Sequence, residues 1–245
     1  MKGTAEPVWI DVADVGDVGV GRSRIIELRR PAKLNCLSLA MLDELLAALE
    51  GCTAGRLILT GAGRAFCAGL DLREIAGPAA GRAHLERLVR VYDWFLRADI
   101  PTVVLARGHA AGGGAGLAAC ARTVIASTNF RVHIPGGRLA GLAAVVIPIF
   151  KLRTQGKAPA SQAWLGCDLD AGAACRLGLV DQVIPAARLE ELIRSARSGM
   201  IPPEWLAAAK PNGKAVVRAR MELEEFLRVA LRRTGREEDE IAGGG

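Results

Sequence analysis

Two glycine-bearing clusters carry the residue types from which a reactive site could be built. The first is Ala65-Phe66-Cys67-Ala68-Gly69-Leu70-Asp71-Leu72, and the second is Gly108-His109-Ala110-Ala111-Gly112-Gly113-Gly114-Ala115-Gly116. Each follows a predicted strand, and the second opens a predicted helix. Glycines at a helix start leave backbone N–H groups unpaired and pointing outward. Two such groups from different loops can hold a carbonyl oxygen as it gains negative charge, and losing one donor of that kind costs roughly 3–4 kcal/mol of barrier. Either cluster alone would serve equally for close helix packing or for cradling a phosphate. The spacing is not that of a GxxxxGKS/T loop, which disfavours a nucleotide P-loop.

The elements that must position these clusters follow from periodicity. Val8–Val12 and Ser23–Leu28 read as strands, rich in aliphatic and β-branched residues. Asn35–Leu49 reads as a helix with Leu39, Met41, Leu42, Leu45, Leu46 and Leu49 at helical spacing and Ser38 as a cap. Arg56–Thr60 is a short buried strand, residues 81–98 a long helix, and Thr102–Ala106 a strand after Pro101. A helix over Gly113–Ala121 and a strand at Thr123–Ala126 follow, then a helix from residue 171 closed by Gly178 and a strand at Val180–Ile184. From Leu189 the chain reads as helical, punctuated by Pro202-Pro203 and Pro211-Asn212-Gly213. The alternation of strand and helix predicts an α/β fold. It divides into a core over 1–188 and a C-terminal helical region over 189–245, without internal repeats.

Composition narrows the function classes. The chain has 245 residues, 51% of them apolar and only 4% aromatic, so Ala, Leu, Val and Ile must build the core. No uncharged apolar run reaches the length of a membrane span, and the first ten residues lack the pattern of a signal peptide. The six cysteines are scattered without a CxxC pair, which argues against a disulfide framework or a metal site and for reduced cytoplasmic thiols. Net charge is +6, concentrated between Lys210 and Arg236. A solvated helix face is the plainer reading of that run. Basic residues there are not interleaved with aromatics, so a nucleic-acid partner is not expected.

Taken together and in order, the motifs resemble the crotonase (enoyl-CoA hydratase/isomerase) superfamily. The resemblance spans Ile25 to Pro185 and rests on Arg30-Pro31, Asn35-Cys36-Leu37-Ser38, Leu57-Ile58-Leu59-Thr60-Gly61, Arg64-Ala65-Phe66-Cys67-Ala68-Gly69, Pro101-Thr102-Val103 and Gly178-Leu179-Val180. It implies a spiral of ββα turns, a C-terminal helical trimerisation region, a homotrimer or hexamer, and an acyl-CoA thioester as ligand. Coenzyme A would enter as part of the substrate, with no further cofactor. By the same resemblance the oxyanion N–H groups belong to Leu70 and Gly113. Lys33, Leu34, Cys36, Ala68, Asp71, Leu72, Gly116 and Gly136 would surround the thioester and its CoA.

The departures from the family pattern bear on the reaction. Family hydratases use two glutamates, and the matching positions here are Gly116 and Gly136, with the preceding Pro135 kept. A glycine transfers no proton, so water addition by the usual route is not expected, and the isomerases that use the second glutamate are disfavoured too. The dehalogenase branch needs an Asp where this chain has Leu142 or Ala143. The decarboxylases with a His in the first oxyanion loop would need it at position 70, which is Leu. The naphthoate-synthase branch tolerates a glycine at the second position, but its downstream Ser-Phe-Asp is absent.

Of the remaining polar residues, His133 lies in a stretch resembling the family's carbon–carbon bond hydrolases, where the His is catalytic, although their partner Asp is replaced by Leu142. A strand-end His satisfied by backbone is the plainer reading. His109 sits within the glycine turn where the family carries an apolar residue. Tyr92 is the only tyrosine, on a helix that lines the acyl pocket in relatives, and core or interface packing is its plainer role. Two functions remain open. One is an enzyme acting on an acyl thioester with non-standard acid/base chemistry, as a decarboxylase, C–C hydrolase or isomerase. The other is a silent acyl-CoA-binding or structural homologue.

Overall fold

The computed structural model describes residues 8–17, 21–155, 164–200 and 221–225. Strands β1 (Ile10–Asp17), β2 (Gly21–Leu28), β3 (Arg56–Gly61), β4 (Thr102–Ala106), β5 (His109–Ala111), β6 (Thr123–Ser127), β7 (Arg131–His133), β8 (Asp168–Asp170) and β9 (Gln182–Ile184) alternate with helices. The helices are α1 (Leu39–Glu50), α2 (Pro78–Arg97), α3 (Gly113–Cys120), α4 (Ala140–Ala143), α5 (Ile147–Thr154), α6 (Ala171–Leu177) and α7 (Ala186–Arg197). A six-stranded sheet runs in the order β1-β2-β3-β4-β6-β9, and a three-stranded sheet in the order β5-β7-β8. Only β1 is antiparallel in the larger sheet, where it pairs with β2 along its whole length.

The larger sheet is covered on both faces, which is why its strands read as unbroken apolar runs. Ile26, Leu57, Leu59 and Val104 face α1, α2 and α3 in the main core. Ile25, Ile58, Val103 and Ile125 face the opposite way, onto Leu189, Leu192, Ile193 and Ala196 of α7. Helix α7 begins at Ala186 and so runs across the expected division at residue 188.

Helix α1 starts at Leu39, the first of its apolar positions and four residues after the expected start at Asn35, with the expected cap Ser38 accepting from the Met41 N–H at 3.2 Å. Leu34 and Asn35 take left-handed conformations, with φ of 51° and 55°. The Asn35 amide holds that turn: its Nδ2 donates to the carbonyls of Ala62 (2.9 Å), Ala65 (2.9 Å) and Phe66 (3.1 Å). A tertiary bond network thus outcompetes helical propensity here. Strand β9 is shorter than expected because Val180 is spent on the buried turn after α6, whose end is capped by Gly178 at φ +83°. The three-residue strands β7 and β8 carried no sequence signal, being too short to display a period of two.

In the C-terminal region Leu223, Phe226, Leu227 and Leu231 recur at helical spacing, an apolar stripe that a lone helix would leave wet and that suggests contact between subunits. Leu223 packs into the core of its own chain at 1% exposure. Phe226, Leu227 and Leu231 lie outside the described residues. Among those described, no helix is long and apolar enough to cross a membrane.

Candidate functional site

The first glycine cluster is threaded between two parallel neighbours. On one side Ala68 N–H donates to Leu34 O at 2.9 Å, Leu37 N–H to Gly69 O at 2.8 Å and Asp71 N–H to Leu37 O at 3.0 Å. On the other, Cys67 N–H donates to His109 O at 3.1 Å and Ala111 N–H to Cys67 O at 3.0 Å. Gly69 has φ +90°, and a Cβ there would lie 2.7 Å from Ala111 O and 3.4 Å from Gly113 N. Only a glycine lets the first loop press this closely against the second turn.

The second cluster turns from β5 into α3 at Gly112, whose φ of 45° and ψ of −119° suit glycine alone. Its N–H donates to His133 O at 2.9 Å, and its carbonyl accepts from Ala115 and Gly116 at 3.0 and 3.1 Å. The N–H groups of Leu70 and Gly113 donate to no backbone carbonyl among the described residues. Both residues line one cavity of about 50 Å³, together with Ala68, Gly112, Pro135 and Leu142. It opens at the carboxyl ends of β5 and β7, where parallel strands present ligand sites. The space admits a few atoms, such as a carbonyl and its immediate neighbours. Backbone N–H groups without a backbone acceptor, where they point into such a space, can hold an oxygen that gains negative charge. None of the ten lining residues carries a titratable side chain.

Charge behind the first loop fixes its orientation. Arg30 donates to Asp71 Oδ2 at 2.5 Å and to Cys36 O at 3.3 Å, and its guanidinium lies 5.2 Å from the centre of the Trp9 ring. Asp71 also accepts from Arg73 N–H at 3.2 Å. Burial pushes the Asp71 carboxyl up, but the Arg30 hydrogen bond, the Arg73 N–H and both positive charges outweigh it and hold the carboxyl below its usual range. Burial pushes the Cys67 thiol up to about 12, so it stays protonated and donates to Asn35 O at 3.2 Å. Further along the loop, Glu74 accepts from Leu39 N–H at 2.9 Å and meets Nε2 of the buried His84 at 3.2 Å. The other His84 nitrogen meets Ala80 O at 2.8 Å, which ties the loop to the start of α2.

The residues singled out from sequence separate into groups. Ala68, Leu70, Leu72 and Gly113 line the cavity, and Leu72 stands 47% exposed. Asp71 lies behind them on Arg30. Lys33, exposed at the end of a 3₁₀ turn, and Leu34 and Cys36, both half-buried, support the first loop without lining the cavity. Gly116 is buried on α3, where a Cβ would overlap the Tyr92 hydroxyl. Gly136 is extended, and a Cβ there would sit 3.2 Å from Gly166 N. His133 contributes its carbonyl to Gly112, but its side chain is exposed on β7 in register with Asp168 and does not line the cavity. His109 is exposed as well. Sequence reading passed over Arg30 as a partner of Asp71 and over His84. Tyr92 is fully buried in the main core, as its packing reading expects, and shares one face of α2 with His84 and Leu88 at four-residue spacing.

Comparison with known proteins identifies the family. The family model for enoyl-CoA hydratase/isomerase matches residues 23–234. A probable enoyl-CoA hydratase of Rhizobium meliloti is 33% identical over 219 residues, covering 86% of this chain and 84% of the relative. A probable enoyl-CoA hydratase of Mycobacterium bovis is 31% identical over 182 residues, covering 72% of this chain and 70% of the relative. The crystal structure of an enoyl-CoA hydratase of Mycobacterium smegmatis superposes with a TM-score of 0.65 at 26% identity, covering 77% of this chain and 76% of that one. The chain therefore belongs to the enoyl-CoA hydratase/isomerase family, with the crotonase fold.

Proposed function

We propose that this protein binds an acyl-CoA thioester with its carbonyl oxygen between the N–H groups of Leu70 and Gly113, and acts on it without a pair of catalytic carboxylates. The observation that carries the reading is the pair of N–H groups that have no backbone acceptor, on one small cavity without a titratable side chain in its lining, among the described residues. Glycines at 116 and 136, where the family resemblance expects glutamates, support the same conclusion. Such a site polarises the thioester but supplies no general base. The chemistry that asks least of it is decarboxylation of a 2-carboxyacyl-CoA. The electrons of the breaking C–C bond pass into the enolate held by the two N–H groups, carbon dioxide leaves, and water protonates the α-carbon. Coenzyme A arrives as part of the substrate.

The same lining favours a second reading, a homologue that binds acyl-CoA and performs no chemistry. His133 as a proton donor belongs to the first reading and requires its exposed side chain to turn toward the ligand. A homotrimer or hexamer is the assembly proposed for either.

Calorimetry with acetyl-, butyryl- and malonyl-CoA, and with free CoA as control, tests the binding. Thioesters are expected to bind, and Gly113→Val, whose Cβ would stand 2.8 Å from Leu88 Cδ2 and so displace the turn, is expected to abolish binding while the protein stays folded. Absence of binding by the wild-type protein at millimolar thioester would overturn the proposal. Carbon dioxide release from malonyl-CoA separates the enzyme from the silent binder. Crotonyl-CoA hydration near an ordinary turnover, on the order of 10 per second, would show that a substitute base exists.

A further inference from the structure

Tyr92 is among the largest fully buried side chains of the protein. Its hydroxyl donates to the carbonyl of Gly113 at 2.6 Å, inside the turn that lines the cavity. Gly116 follows within one turn of α3, and there the packing leaves no room. A Cβ at 116 would overlap the Tyr92 hydroxyl, lie 2.7 Å from Tyr92 Cζ and 2.9 Å from Val146 Cγ1. At position 113 a Cβ would stand 2.8 Å from Leu88 Cδ2 and 3.7 Å from the same hydroxyl. The atoms of Tyr92 therefore fill the space into which a side chain at 116 would project.

We propose that Tyr92 is a positioning residue that occupies the space of the acid/base side chain over Gly116: it anchors the first turn of α3 through Gly113 and shuts carboxylate and water out of that position. The inference rests on the reading that Gly113 N–H holds the thioester oxygen, and it adds a reason why the site binds without hydrating. The two residues form an exchange of volume between helices. A hydroxyl on α2 takes up what a side chain on α3 gives up, and close-packed interiors do not accommodate both. Burial pushes the phenol well above its usual range, so it stays a donor and serves as no base. The Gly113 carbonyl it engages lies one peptide beyond the Gly113 N–H, so the bond restrains the direction in which that N–H points. A glutamate restored at 116 alone has no room to enter.

Two measurements test this. The first is thermal unfolding of a double-mutant cycle and needs no ligand. Gly116→Ala is expected to lower Tm by roughly 5 °C in the wild-type background, and by clearly less in a Tyr92→Leu background, where the hydroxyl and Cζ are gone and only the Val146 contact remains. Equal drops in both backgrounds would overturn the exclusion. If Tyr92→Leu does not fold, Tyr92→Phe removes the overlapping oxygen and gives the same comparison, with a smaller drop expected than in the wild type. The second is the infrared carbonyl stretch of bound butyryl-CoA in Tyr92→Phe, expected to move back toward its value in water with affinity about 3–10-fold weaker, the range for one hydrogen bond. An unchanged stretch would reduce Tyr92 to packing and overturn its positioning role. If the wild-type protein binds no thioester, the acyl-CoA reading falls, and the unfolding cycle still decides whether Tyr92 excludes a side chain at 116.

Discussion

Arg30 and Asn35 show how single side chains hold a backbone site in place. Asp71 titrates low because Arg30 faces it, and the direction of that shift sets a pH dependence. A carboxyl lowered on folding stabilises the native state fully above its unfolded value near 3.9 and loses that contribution as pH falls through the lower folded value. Tm should therefore stay level from neutrality to about pH 4 and fall below it. In Arg30→Gln the main opponent of burial is gone and the folded carboxyl moves up toward its unfolded value, so Tm should be lower at neutrality and the part of the acid fall that Asp71 contributes should shrink. Coincident Tm–pH profiles for the two proteins would show that something other than Arg30 holds Asp71. Asn35→Ala leaves three carbonyls, those of Ala62, Ala65 and Phe66, without their donor. Denaturant unfolding should register a loss of about 1–3 kcal/mol, with the αL turn at Leu34 and Asn35 relaxing as well.

At the scale of elements, the site depends on helices that never touch the ligand. Helix α1 begins at its cap and not at Asn35, so Ser38→Ala should cost about 1 kcal/mol of stability, read as a shift in denaturant midpoint without change of slope. Helix α7 covers the sheet face opposite the site with Leu189, Leu192, Ile193 and Ala196. Leu192→Ala should cost about 2–5 kcal/mol yet leave thioester affinity intact while the protein is folded, because α7 and the cavity lie on opposite faces. A matching loss of affinity in the folded variant would mean that the two faces are coupled. Helix α2 is the element that reaches the site from behind, through Leu88 and Tyr92.

At the scale of the whole molecule, sedimentation is expected to find a trimer or hexamer, and a stable monomer at micromolar concentration would overturn that assembly. Much of the sheet was legible beforehand: β3, β4, β6 and α3 fall within a residue or two of their expected limits, because a sheet buried on both faces writes itself as apolar runs bounded by Gly and Pro. The two glycine-bearing turns were legible for a related reason, since backbone conformations such as those of Gly69 and Gly112 exclude other residues whatever surrounds them. What the chain order could not carry is anything decided between distant segments. Arg30 meets Asp71 across 41 positions, and Tyr92 meets Gly113 across 21. Whether His133 faces the cavity or solvent turns on a three-residue strand whose register is set by β5 and β8. The sequence by itself determined the family, the α/β fold and the two turns, because these rest on local conformational and apolar constraints. Only the tertiary structure decided that Tyr92 fills the space above Gly116, since close packing is a property of surfaces that meet only after the chain has folded.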